Sequence, residues 1–98
     1  MKAVMIIYNQ AHTAEVQEIL DESDIRGFTK WEDVQGRGSK KGEPHYATHA
    51  WPSKNMATLT FIEPQALPAL RAKLEALDKS AEKQGLRAFV WEAEQAWI

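Results

Sequence analysis

The 98-residue chain has no cysteine, which excludes disulfides and thiolate metal centres and fits a reducing compartment. It has no apolar run near the roughly 20 residues that span a bilayer. Its opening, MKAVMIIYNQAH, turns polar at Asn9 before any signal-type cleavage site, so it reads as a strand and the expected location is the cytoplasm. Neither sign of charge dominates: 12 Lys and Arg against 14 Asp and Glu leave a formal net charge of −2. Without a general basic field, nucleic acid is not an expected partner, and any attraction for anions must be local. Glycine and proline are scarce, at 5 and 4 residues. Yet three of the glycines and one proline crowd into a single stretch, GRGSKKGEPHYATHAW, from Gly36 to Trp51.

What is present describes one domain covering residues 1–98. At 44% hydrophobic and 27% charged residues, the chain can build one modest core, and a domain of this size gains by burying surface against copies of itself. Ala3 to Tyr8 is apolar on both alternating faces, as in a central strand covered on both sides. Thr13 then serves as an N-cap, and Val16, Ile19, Leu20 and Ser23 share one helical face. In IRGFTKWEDVQ, Phe28 and Val34 take one parity while Thr29 and Trp31 take the other. NMATLTFIE sets Ala57, Leu59 and Phe61 against Met56, Thr58, Thr60 and Ile62.

Leu67, Leu70, Leu74, Leu77 and Ala81 mark a second helix. Pro64 and Pro68 lie at its entry and first turn, and Gly85 is placed to end it in a left-handed conformation. LRAFVWEA alternates Leu86, Ala88 and Val90 against Arg87, Phe89 and Trp91 as the last strand. Near the terminus, Trp97 is expected to pack on its own sheet or a neighbour's.

The order strand, helix, strand, strand, helix, strand predicts an α+β ferredoxin-like βαββαβ fold, with an antiparallel sheet backed by two helices on one face. The uncovered face, itself apolar, predicts that sheets of several subunits pack together. The second and third strands are hairpin partners that a two-residue turn could join. Instead residues 36–53 intervene, well beyond ordinary connections of about 4–6 residues, and long insertions of this kind tend to carry function.

DIRGFTKWEDVQGRGSKKGE, from Asp24 to Glu43, resembles the PII signalling proteins, in which a strand of the form I-R-G-M-T runs into G-x-G-x-x-K-G and then the T-loop. Here the glycine motif is Gly36, Gly38, Lys41 and Gly42; the opening MKAVMIIY and the helix bearing Glu15, Val16 and Ile19 are similar too. The resemblance implies a homotrimer with ligand clefts between subunits, ATP or ADP as effector, and a T-loop that docks on a target such as a transporter, channel or metabolic enzyme. Any membrane association would then be indirect, through that target.

The sequence also departs from the PII pattern. Lys40 stands where PII places the glutamine that holds magnesium and 2-oxoglutarate, and Ser39 aligns with a family arginine. The glycine-rich T-G-x-x-G-D-G turn after the second helix is reduced to Gly85 and Arg87, and EAEQAWI lacks the C-terminal arginines. The chain therefore reads as a divergent, PII-like member.

The expected effector contacts, for an adenine nucleotide or another small anion, are Gly36, Arg37, Gly38, Ser39, Lys40, Lys41 and Gly42, with Gly85 and Arg87. Cationic heads beside glycine amides converge on phosphate or carboxylate by charge-assisted hydrogen bonds. Glu43, His45, Tyr46, His49 and Trp51 are the expected partner-binding residues of the loop, Tyr46 as an exposed aromatic anchor. The competing expectation is a metal-responsive accessory protein, as the similarly folded CutA proteins suggest, with His45 and His49 taking a divalent ion. No obligatory cofactor is expected. Catalysis is not either: no serine or cysteine nucleophile sits in a recognisable elbow, and the glutamates mostly belong to solvated helix faces. RRM domains share the topology, but MATLTFIE lacks their basic and aromatic pattern.

Overall fold

The computed structural model describes residues 1–35, 54–81 and 84–96. Strand β1 (Lys2–Asn9) leads through a 3-10 turn (Gln10–His12) into α1 (Thr13–Glu22). Strands β2 (Thr29–Val34) and β3 (Asn55–Ile62) follow, then a 3-10 turn (Pro64–Ala66), α2 (Leu67–Ser80) and β4 (Arg87–Glu92). The sheet runs β2-β3-β1-β4, and every pairing is antiparallel. This is the ferredoxin-like order, with the doubly apolar β1 at its centre.

Alternation along the strands sorts the side chains as the sequence predicts. Val4, Ile6 and Tyr8 of β1 and Met56 and Ile62 of β3 join Val16 and Leu20 of α1 and Leu70 and Leu74 of α2 in one core, with Ile25 and Leu86 completing it. Three hydroxyls enter that layer with partners. Tyr8 and Thr58 Oγ1 share a buried hydrogen bond of 2.9 Å, and Thr60 Oγ1 donates to the Gly27 carbonyl at 2.6 Å, tying the approach to β2 onto β3.

Helix termini differ from the sequence expectation in instructive ways. Thr13 is the first residue of α1, and its predecessor His12 holds the N-cap position without a side-chain cap. The capping task has moved upstream to Asn9, whose Oδ1 accepts the Ala11 amide at 2.8 Å and opens the 3-10 turn. Thr13 Oγ1 instead donates back to the Gln10 carbonyl at 2.6 Å. At the other end, the Ile25 amide donates to Leu20 and the Asp24 amide to Asp21, while Asp24 sits at φ 57. These are the two bonds of a Schellman stop, and Ile25 and Leu20 supply its apolar contact. Gly85 is left-handed at φ 73, but α2 has already ended at Ser80, so this glycine bends the entry to β4 rather than capping the helix.

The alternation of β2 also breaks. Trp31 pairs with Ala57 but Val34 pairs with Asn55, so β2 carries one extra residue there, and Asp33 takes φ 57. This β-bulge brings Val34 into phase with Trp31, where strict alternation predicted opposite faces.

Candidate functional site

The sheet's two ends have different characters. At one end, Val34, Asn55 and Asn9 are consecutive partners across β2, β3 and β1. The Gln10 amide donates to the Lys54 carbonyl at 2.8 Å, and Lys54 Nζ lies 3.5 Å from Asp33 Oδ1. Gln35 and Lys54, the described residues that border 36–53, therefore both lie at this end. To the same end comes the link from α2 to β4, because Asn9 Nδ2 donates to Gln84 Oε1. Asn9, only 3% exposed, thus links the turn that follows β1 to Gln84 through one amide. Sequence reasoning noted Asn9 only as the end of an apolar run, although an asparagine between a strand and a polar turn is a recognised capping signal.

Of the residues expected to hold an effector, Gly85 and Arg87 fall in the described part. Gly85 is next to Gln84, at the sheet end that carries Gln35 and Lys54. Arg87 faces Ile7 at the start of the β1–β4 ladder; its Nη1 donates to the Leu86 carbonyl at 2.8 Å and lies 3.9 Å from Asp78 Oδ1. Gly36, Arg37, Gly38, Ser39, Lys40, Lys41, Gly42, Glu43, His45, Tyr46, His49 and Trp51 lie outside the described residues, as does Trp97. His12 is engaged with the Glu15 carboxylate one turn on. Among the described residues no cluster of His, Asp and Glu could hold a metal ion, and no helix is long and apolar enough to cross a membrane.

The face of the sheet away from the helices is apolar and open. Phe61, Ala3 and Trp91 form one cross-strand row, and Leu59, Met5 and Phe89 the next. Trp31, Ala57 and Ile7 follow. Phe61 is 52% exposed, Phe89 55%, Trp91 46% and Trp31 44%, so these rings are not packed within their own chain as ordinary strand residues. A contiguous patch of this kind marks an interface.

The family model described as nitrogen regulatory protein P-II matches residues 1–98. This chain belongs to the P-II family. A search of curated proteins returns no match. Among solved structures, this P-II chain is similar to CPII, a nitrogen regulatory PII-like protein of Thiomonas intermedia, in complex with ADP, AMP and bicarbonate. The TM-score is 0.72 and the identity 18%, over 92% of this chain and 86% of that one. The complex of CPII with ADP and bicarbonate gives a TM-score of 0.74 at 20% identity, covering 92% and 82%. A protein of Thermus thermophilus described as PII-like gives 0.65 at 17%, covering 92% and 83%. At these identities the likeness is one of fold, and it agrees with the ferredoxin-like architecture.

Proposed function

We propose that this P-II chain is a signal transducer rather than an enzyme: a homotrimer that binds an adenine nucleotide or another small anion in clefts between subunits and regulates a target protein through residues 36–53. The observation that carries the proposal is the convergence at one sheet end of the Gln35 and Lys54 borders, Gln84 and Gly85, beside an apolar face suited to neighbouring subunits. CPII, similar in fold, is found with ADP, AMP and bicarbonate, ligands that share an anionic group. Arg37, Lys40 and Lys41 with the amides of Gly36, Gly38 and Gly42 are the chemistry such a group needs. The effector would act by favouring those conformers of the segment that dock on the target.

Native mass spectrometry of the metal-stripped protein, alone and with adenine nucleotides, bicarbonate and divalent metals, reads assembly and ligand together. A trimer taking up to three nucleotides is expected, with affinity lowered about tenfold by Lys41→Ala, the loss of one charge-assisted hydrogen bond. Unchanged affinity in that variant removes the assigned contacts. Uptake of metal alone, lost on replacing both His45 and His49 by alanine, transfers the function to the histidines.

A further inference from the structure

The open face of the sheet ends in a groove. Its last aromatic row sets Phe61 and Trp91 on either side of Ala3. Beyond that row the Ala93 amide donates to the Met1 carbonyl at 3.0 Å, so the chain leaving β4 stays beside β1 for one more step. Residues two apart along a strand share a face, which puts Met1 and Ala93 on the side that carries Ala3 and Trp91. Glu94 and Gln95 then line one groove of about 400 Å³ together with Met1, Phe61 and Ala93. Phe61 belongs to β3, so within two residues of Ala93 the chain has turned from β4 across β1 toward β3.

Phe61 is the aromatic wall of this groove and is 52% exposed, while Ala93 adds only a methyl. The described chain stops at Ala96, and the next residue is Trp97. Two residues carry the chain from Gln95, itself at the groove, to Trp97, a span of at most about 7 Å. An indole left in water forgoes the burial of a large apolar surface, and beside Phe61 it meets a ring that it can pack against edge-on or offset. Its Nε1–H is a donor only, and the side chains of Glu94 and Gln95 supply acceptors in the lining. We propose that Trp97 docks in the Phe61–Ala93 groove of its own chain, folding the tail over the end of the open face. The groove is within reach of this chain's own tail, whereas the tail of a second copy must first be brought to it. Phe61 lies next to the Lys2–Ile62 pair, and Gln35 and Lys54 lie beyond the Asn9–Asn55 pair at the other end of the sheet, so the dock does not depend on the effector proposal.

Nuclear Overhauser contacts of the Trp97 indole in the full chain, with its signals assigned by Trp97→Phe, test the dock. Contacts to the Phe61 ring and the Ala93 methyl are expected, and in a sample mixing isotope-labelled with unlabelled copies they arise within one copy. Hydrogen exchange gives a second readout. The Ala93 amide, held by the Met1 carbonyl, is expected to exchange at least about tenfold faster in Trp97→Ala, while amides at the centre of β1 keep their protection. Absence of contacts between Trp97 and Phe61, or unchanged exchange at Ala93 in Trp97→Ala, overturns the proposal. Contacts found only between labelled and unlabelled copies overturn it as well and give the groove to the tail of a second copy. The contacts in the unsubstituted protein decide the question even if Trp97→Ala disturbs the fold.

Discussion

Tyr8 shows how one residue can couple the core to pH. Burial pushes its phenol above the ordinary value of 10.0, and the hydrogen bond with Thr58 only partly opposes that. A folded state that holds the proton more tightly than the unfolded chain keeps its full advantage below pH 10, then loses it as pH rises through the raised folded value. Tyr8→Phe removes both the titration and the bond to Thr58 Oγ1, at a cost near neutral pH of about 1 kcal/mol. In urea denaturation the gap between the two proteins is expected to be widest below pH 10 and to narrow above it; a gap independent of pH removes Tyr8 as the titrating group. Glu92 shifts the other way: the hydrogen bond from Lys2 holds its carboxyl below the usual range, with the N-terminal amine a smaller contributor. That carboxylate is fully open to water, so its pairing belongs to surface electrostatics, which contribute little to stability.

At the scale of elements, the ends of helices and strands hold what periodicity does not encode. Asp24 is exposed and occupies a left-handed conformation at φ 57 to complete the α1 stop. Left-handed backbone costs an ordinary L-residue about 1–2 kcal/mol. Asp24→Gly is therefore expected to raise the stability by up to about 1 kcal/mol, net of glycine's greater freedom when unfolded. Asp24→Val is expected to lower it, and thermal unfolding of both variants checks the pair of signs.

The same contrast explains what could be read from the sequence. The parity of β1, β3 and β4, the stripe on α2 and the order of elements follow from burial at periods of 2 and 3.6, which composition expresses directly. The start of α1 does not, because Asn9 opens a 3-10 turn ahead of the helix and relieves Thr13 of capping. Nor does the face of Val34, since a bulge built on an aspartate at positive φ carries no glycine signal. Gly85 announces its backbone conformation but not its position beyond the helix.

For the whole molecule the decisive feature is the sheet face that no helix covers. One chain satisfies its core on the helix side and still leaves Phe61, Phe89, Trp91 and Trp31 about half exposed. An aromatic side chain presents about 200 Å², so covering the open half of each is worth on the order of 2 kcal/mol per residue. That gain is available three times over in a trimer whose sheets face one another, and it recurs at every interface of a cyclic assembly. Ala3, flanked in register by Phe61 and Trp91, is fully buried even in the single chain, so the centre of the patch is already dry and flat. A charge placed there has no partner and must be desolvated on assembly. Phe61→Glu is therefore expected to convert the proposed trimer to monomer in size-exclusion chromatography with light scattering. Because Phe61 is 52% exposed in the isolated chain, the monomer should keep its far-ultraviolet circular dichroism and its cooperative unfolding. A wild-type protein that elutes as a monomer would remove the proposed trimer, and a Phe61→Glu variant that stays trimeric would place the subunit contacts elsewhere. The effector clefts proposed between subunits would then have to move with them.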